Sequence, residues 1–475
     1  MAVDQIAAFF EFDDHGTDLR TEMLAGITTF LAMSYIIVVN PFILSEAIVI
    51  DGYDQGQVIQ MIAIATILAS ALATLVMALY ANRPFGLAPG MGLNAFFAFT
   101  VVIALEIPWQ TALAAVFVEG ILFIVLTAVG ARKFVINLFP EPVKYAVGAG
   151  IGVFLLFIGL QEMQVIVSEP ETLVQLGDIA SNPFAILGVL GVAFTLVLWA
   201  RDITGSIVIG ILTTTLAGWL VAAANLTEPA TVVDGGLYSS FEQEGILSAM
   251  WALITGVQYD ITPLAGAFVG GLQDIDPLTF LFVMLTFFFV DFFDTAGTLI
   301  GVAQFGSFLD DEGELPEMEK PLMADAVGTT FGAVVGTSTV TTYIESSTGI
   351  EEGGRTGFTA LVVAACFLLA LPLVPLVSII PDYASFLALV VVGVIMFQGV
   401  TDIDWTHPAW AISGALTITV MPLAYSIADG LAAGIISYPI VKAAMGEGVE
   451  VRLGQWVLAL ALIAYYVLQT GGFIL

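Results

Sequence analysis

Positive charge is almost missing from this chain. Ten lysines and arginines face 42 aspartates and glutamates, for a formal net charge of −32, and that sign disfavours a nucleic-acid partner. Thiols are missing too: the one cysteine, Cys366, lies in an apolar run, which excludes an internal disulfide, leaves no thiol metal site and points to a packing role. The two histidines, His15 in an acidic tail and His407 at the edge of an apolar run, read as solvated or interfacial rather than catalytic. There is no Gly-x-x-x-x-Gly-Lys-Ser/Thr phosphate loop, which argues against a built-in ATPase. No cofactor is expected. The first twenty residues carry Asp4, Glu11, Asp13, Asp14 and Asp18 without a basic start and apolar core, so no cleavable secretion signal is expected and the amino terminus is expected to stay in the cytoplasm.

What the chain has in abundance is hydrocarbon. It is 59% hydrophobic and only 11% charged, with a mean hydropathy of +1.00, which excludes a soluble domain and makes the lipid bilayer its solvent. Nearly charge-free runs recur at 23–45, 55–82, 84–105, 179–200, 203–227, 356–381 and 383–401. They are continuous and long enough to cross a bilayer as helices, whereas a barrel shows alternating segments of about ten residues. The fold class is therefore all-α and polytopic. Spans are expected at 23–45, 57–81, 91–105, 110–131, 143–161, 183–200, 205–225, 279–307, 321–337, 342–354, 357–379, 383–400, 407–423 and 425–442. With the amino terminus inside, those fourteen spans put Arg20, Arg83, Arg132, Lys133, Lys144, Arg201, Lys320, Arg355, Lys442 and Arg452 all on the cytoplasmic side, as positive-inside topology demands. The apolar run 453–475 is compatible with a further span or an interfacial helix. Acids crowd into loops such as 161–178 and 310–319, and concentrated salt would screen their self-repulsion, so a salt-loving source is expected.

The halves resemble each other weakly. Pro142 and Tyr145 open one span, Pro381 and Tyr383 another, and seven spans per half place the halves in opposite orientation, as in an inverted repeat. Two segments make poor straight helices: 85–97, with Gly86, Pro89, Gly90 and Gly92 ahead of Asn94, and 332–345, rich in glycine and β-branched residues and containing Thr342 ahead of Glu345. Each reads as extended chain feeding a short helix. Irregular backbone at membrane depth belongs beside a cavity, and matching interruptions in the two halves point to a transporter's substrate site.

Acids inside apolar stretches need a function. Asp291 and Asp294 lie within 280–308, three residues apart and so on one helical face. Two carboxylates close together in low dielectric do not readily both ionise, which couples a site to protons. Such a group can also accept hydrogen bonds from the ring N–H groups of a polar heterocycle, while Asn94 offers both donor and acceptor. Phe96 and Phe97 offer a flat apolar wall, although core packing is the expected role for either among 34 phenylalanines. Glu119, inside the fourth expected span, is a weaker candidate.

The segments Gly86-Leu-Ala-Pro-Gly-Met-Gly-Leu-Asn-Ala95, Phe289-Val-Asp-Phe-Phe-Asp-Thr-Ala-Gly-Thr298 and Thr337-Ser-Thr-Val-Thr-Thr-Tyr-Ile-Glu-Ser-Ser-Thr-Gly349 resemble the AzgA-like purine permeases of the nucleobase cation symporter group, and 21–35 and 325–328 are similar to them too. The resemblance runs from about residue 20 to 442. It implies two inverted repeats of seven spans in a core and a gate: a tail at 1–22, core parts at 23–131 and 279–379, gate parts at 143–225 and 383–442, an extracellular acidic loop at 226–278, and an apolar segment at 453–475. It implies uptake of hypoxanthine, guanine or adenine with protons and no enzymatic activity. Asn94, Asp291 and Glu345 would contact the purine, with Gly92 giving close backbone approach; Phe96 and Thr342, from the same two interrupted segments, are expected as further substrate contacts. Asp294, Glu345 and Asp291 would serve proton coupling. The acidic composition departs from the usual members and keeps sodium open as the coupling ion. Partners so implied are the nucleobase, the proton or sodium, lipid and a possible homodimer. Other readings are the same architecture carrying xanthine, uracil or another small solute, and an intramembrane aspartyl protease, which needs two aspartates from separate helices.

Overall fold

The structure, a computed structural model, describes residues 2–130, 138–256, 259–273, 277–310 and 315–470; Arg132 and Lys133, expected on the cytoplasmic side, lie outside them. Every expected span has a counterpart. The first is two helices, Leu19–Met33 and Ile36–Ser45, jointed beside Ser34 and Tyr35. Gln55–Val76 follows, ending in a wider π turn, Met77–Ala81. The third is strand Leu87–Pro89 running into helical segments Met91–Ala95 and Phe96–Ala104. Helices Trp109–Ala128, Glu141–Glu162, Pro183–Trp199 and Ser206–Ala223 complete the first half. The second half repeats the order with Pro277–Phe305, Glu319–Val335, strand Val340–Thr342 with the short helix Ser346–Glu351, the pair Gly357–Leu369 and Leu371–Ile379, then Asp382–Met396, Pro408–Leu423 and Ile427–Ala444. Among the described residues eight helices are long and apolar enough to cross a membrane, or nine with the bent pair counted as one; the rest are short, or interrupted by strand.

Three expectations are revised. The tenth span is not a helix over 342–354: Thr342 closes a strand and the helix is confined to Ser346–Glu351. The eleventh bends by 60° between Leu369 and Leu371, where Pro372 and Pro375 remove N–H donors. The acidic loop after the seventh span holds helices Gly235–Glu244 and Ile246–Gly256, the first begun by Asp234, whose side chain accepts the Leu237 N–H at 2.7 Å. Leu453–Thr470 is helical too, and it packs on Ile427–Ala444, where the Tyr466 hydroxyl donates to Asp429 at 2.5 Å.

The repeat is visible in individual bonds. Strands Leu87–Pro89 and Val340–Thr342 pair antiparallel, Leu87 opposite Thr342 and Pro89 opposite Val340. A two-stranded ribbon leaves outer N–H and C=O groups that water cannot reach at membrane depth. Each half supplies a threonine for them. The Thr74 hydroxyl donates to the Leu87 carbonyl at 3.1 Å and accepts the Leu87 N–H at 3.0 Å. In the other half the Thr329 hydroxyl donates to the Val340 carbonyl at 2.9 Å and accepts the Val340 N–H at 3.1 Å. Elsewhere Glu141–Glu162 crosses its counterpart Asp382–Met396 so closely that a Cβ on Gly152 would lie 2.7 Å from the Gly393 carbonyl oxygen, and one on Gly393 2.4 Å from that of Gly152; small residues allow such crossings. The helices sort by packing into two bundles, spans one to four with eight to eleven around the ribbon, and five to seven with twelve to fourteen beside them.

Candidate functional site

The ribbon organises the site. Because the strands run antiparallel and each feeds a helix, the amino ends of Met91–Ala95 and Ser346–Glu351 face back toward the ribbon from opposite directions. Three residue pairs separate them, roughly 10 Å of strand. Backbone bonds extend the register at both ends: Gly90 N–H donates to the Thr339 carbonyl and Tyr343 N–H to the Gly86 carbonyl, each at 3.0 Å. Helix amino ends carry partial positive charge and favour electron-rich groups.

Asn94 stands at one end, fully buried, its side-chain carbonyl accepting the Ser338 hydroxyl while its NH₂ has no partner. Glu345 stands at the other end, half-buried, and accepts the Tyr35 hydroxyl at 2.7 Å. Tyr35 sits at the joint of the first span, so that interruption places a hydroxyl on the site. Tyr343 closes the ribbon by donating to the Pro89 carbonyl at 2.6 Å. The Asn40 side chain lies beyond Ser338, donating to Thr66 at 2.7 Å and to Thr337 at 2.9 Å.

The structure separates the aspartate pair that the sequence sets on one face. Asp294 is half-buried and faces Tyr343. Asp291 is wholly enclosed and faces Glu119 and Asp325, with the Thr295 hydroxyl 3.4 Å from its Oδ1. Thr295 in turn bonds Thr341 of the ribbon at 2.7 Å. Thr342 is buried with an unpartnered hydroxyl. Phe96 and Phe97 are buried among apolar side chains, Phe96 edge-on to Phe287 at 4.8 Å, which is packing. Gly92 does bring its backbone close to a neighbour, and that neighbour is Ile151 of the fifth span, 2.5 Å from an added Cβ.

Sequence reasoning missed Tyr35, Ser338 and Tyr343 beside the ribbon, and Asp325 as the neighbour of Asp291 behind it. Tyr35 and Asp325 lay inside segments already singled out, and a polar residue in an apolar span was the available signal. Also missed was Glu22, buried at the start of the first span, which accepts the Thr359 hydroxyl at 2.6 Å, the Thr356 hydroxyl at 2.9 Å and the backbone N–H groups of Arg355, Thr356 and Thr359. It caps the eleventh span from the first and is a structural tie.

Charge is divided between the two ends of the bundle. A cavity of about 920 Å³ is lined by Asp54, Asp234, Glu244 and Asp382 together with Gln60 and Ser378, and none of the expected site residues borders it. On the other side the Arg83 guanidinium donates to the Pro316 carbonyl at 3.1 Å beside Lys320, and Lys442 donates to Glu447 and Glu450.

A Permease family model of the xanthine/uracil type matches residues 20–432. A putative permease of Methanocaldococcus jannaschii is 44% identical over 99% of this chain and 100% of its own length. The guanine/hypoxanthine permease PbuG of Bacillus subtilis is 40% identical, covering 97% of this chain and 99% of its own; the adenine permease AdeP of Escherichia coli is 38% identical over 92% and 90%. Among solved structures, the transmembrane domain of a cyanobacterial bicarbonate transporter, BicA, matches with a TM-score of 0.57 at 14% identity, over 88% of this chain and 97% of that one. Murine Slc26a9, an anion transporter, matches with 0.61 at 10% identity, over 90% and 69%; likenesses this remote carry the fold alone, a core and a gate built from inverted repeats. A multi-pass fold, two interrupted helices meeting at a ribbon and end-to-end likeness to permeases leave one conclusion: the chain belongs to the xanthine/uracil permease family and is a transporter, not an enzyme.

Proposed function

We propose that this permease brings purine nucleobases, hypoxanthine, guanine or adenine, into the cell together with protons, and that its amino terminus lies in the cytoplasm. The observation that carries this reading is Glu345, a half-buried acid fixed by Tyr35 beside the ribbon, in a chain similar along its whole length to guanine/hypoxanthine and adenine permeases. Glu345 accepts hydrogen bonds from ring N–H groups, and the free NH₂ of Asn94 donates to a carbonyl or ring nitrogen from the opposite end. Asp294 and Thr342 stand beside them, and Asp291 takes the proton from behind rather than touching the ring. The sequence argument against a protease, that its aspartates share a helix, loses force because Asp325 reaches Asp291 from another helix; family membership decides that question instead.

The ribbon bundle, spans one to four and eight to eleven, is the moving core, and the remaining spans are the gate. Loading a proton removes a buried charge and favours purine binding; the core slides against the gate, and release of the proton inside restores the charge and expels the purine. The test is competition for uptake by the purified protein in proteoliposomes, using hypoxanthine, guanine, adenine, xanthine and uracil, with and without a proton uncoupler and with sodium replaced by potassium. Purines are expected to compete and the uncoupler to abolish accumulation; competition by uracil alone, or dependence on sodium rather than on the proton gradient, would reject the assignment.

A further inference from the structure

Behind the ribbon Asp291 belongs to a cluster whose other two members, Glu119 and Asp325, have no part in the function proposed above. Glu119 from the fourth span, Asp291 from the eighth and Asp325 from the ninth are each 0% exposed. Their carboxyl groups face one another. Among the described residues no salt bridge reaches any of them; Glu119 has no N–H or hydroxyl donor and meets the Asp291 carboxyl, while Asp325 is approached only by the Thr295 hydroxyl and the Thr342 backbone N–H. The titratable groups nearest the cluster are Asp294 on the same helix as Asp291, then Tyr343 and Glu345 across the ribbon. None of these can carry a positive charge.

Three carboxylates cannot all stay charged in such a place, because the cost of burying three ions is offset by no cation and by only two donors, the Thr295 hydroxyl and the Thr342 backbone N–H. A metal ion would be one solution, but no group of three or more His, Cys, Asp or Glu side chains among the described residues is arranged to hold one. Protons are the other. Each proton cancels a charge and supplies the O–H that a neighbouring carboxyl oxygen lacks, so two carboxylic acids donating to a third group satisfy the cluster. The cluster is also joined to the substrate side. Thr295, one turn beyond Asp291, bonds Thr341 of the ribbon, and the backbone N–H of Thr342 approaches Asp325. A shift of the ribbon on purine binding therefore moves the surroundings of all three acids.

We propose that Glu119, Asp291 and Asp325 form a shared proton store that carries the coupled proton, with Glu119 and Asp325 acting as positioning residues that hold that proton at Asp291. This rests on the purine–proton reading above and gives it a location, out of reach of the purine itself. It also assigns roles in coupling to the fourth and ninth spans.

The experiment compares the full-length wild type with Glu119→Gln and Asp325→Asn in proteoliposomes, hypoxanthine being the probe. Exchange of internal for external hypoxanthine, which needs no net proton movement, is expected to stay within about twofold of wild type in both variants. Accumulation driven by a proton gradient is expected to fall to simple equilibration, with the pH dependence of uptake flattened, and Glu119→Asp is expected to restore part of the accumulation. Wild-type accumulation with an unchanged pH profile in Glu119→Gln overturns the proposal. So does a loss of exchange in step with accumulation, the mark of a purely structural role. An infrared difference spectrum of the wild type covers the case of a variant that does not fold: a protonated-carboxyl band that shifts on hypoxanthine addition is expected, and its absence overturns the proposal. A wild type that carries no purine at all condemns the functional reading instead, while the infrared band in the ligand-free protein still reports whether the cluster is protonated.

Discussion

Replacing Thr329 by valine should expose how the ribbon is held at membrane depth. The shapes are nearly the same, so the change removes a hydroxyl and little else. That hydroxyl serves both backbone groups of Val340, at 2.9 and 3.1 Å. The strand cannot slide to find new partners, because its other edge is paired with Leu87–Pro89 and an added atom on Gly328 or Gly332 would already sit 3.1 to 3.3 Å from the Val340 side chain. An orphaned buried polar group costs about 1–3 kcal/mol, so the pair costs on the order of 2–4 kcal/mol once partial relaxation is allowed. That corresponds to an apparent melting temperature roughly 2–4 °C lower for a chain of this size. Thr74→Val should cost the same, because Thr74 serves Leu87 in the other half at 3.1 and 3.0 Å. The assay is thermal unfolding of the purified protein in lipid nanodiscs, alongside Thr330→Val as a control, whose hydroxyl donates only to the Ala326 carbonyl of its own helix at 2.9 Å. If the Thr329 and Thr74 variants melt no lower than the control, the bracketing threonines do not support the ribbon and the reasoning fails.

Gly393→Ala should be far worse than a typical glycine change, since the new Cβ would stand 2.4 Å from the backbone oxygen of Gly152 and backbone cannot step aside as a side chain can; a normal yield of monodisperse protein would contradict that crossing. Asp18 starts the first helix, and the backbone N–H groups of Thr21 and Arg20 hold its carboxyl below the usual range. A lowered folded-state value means that the cap's stabilisation is present above the ordinary carboxylate range and is lost as pH falls through the folded value, so the melting difference between wild type and Asp18→Ala should be present near neutrality and shrink in acid. A difference that grows on acidification would show the sign to be wrong. With a net charge of −32, the melting temperature should rise steeply with potassium chloride as self-repulsion is screened, and a flat response would remove high salt as the reason for the acidic composition.

Much of the fold was legible because apolar length and breaks in helix chemistry are local signals. Pro142 and Pro381 marked the starts of two crossing helices that pack on each other, and the glycines before Asn94 and the β-branched run before Glu345 marked the strands. What could not be read were relations set by packing. The ninth span gives no local sign that its Asp325 would meet Asp291, 34 positions earlier, together with Glu119 from the other half of the chain. Helical periodicity placed Asp291 and Asp294 on one face, yet three residues turn a helix by about 300°, and the 60° that remains is enough to enclose one and leave the other half-buried. The eleventh span's break was written in Pro372 and Pro375 but hidden by an unbroken apolar run. Gly92 was read as an approach to a ligand when the space it leaves is taken by Ile151, since a glycine in sequence does not say what comes close to it.

The most direct measurement is accumulation of radiolabelled hypoxanthine in proteoliposomes under an inward proton gradient, for wild type and Glu345→Gln. The wild type should concentrate hypoxanthine above the external level, and the variant should lose about tenfold or more of that uptake, because an amide replaces the fixed acceptor with a weaker one that also carries a competing donor. Uptake by the variant equal to that of the wild type, or no concentration of any purine by the wild type, would contradict the account.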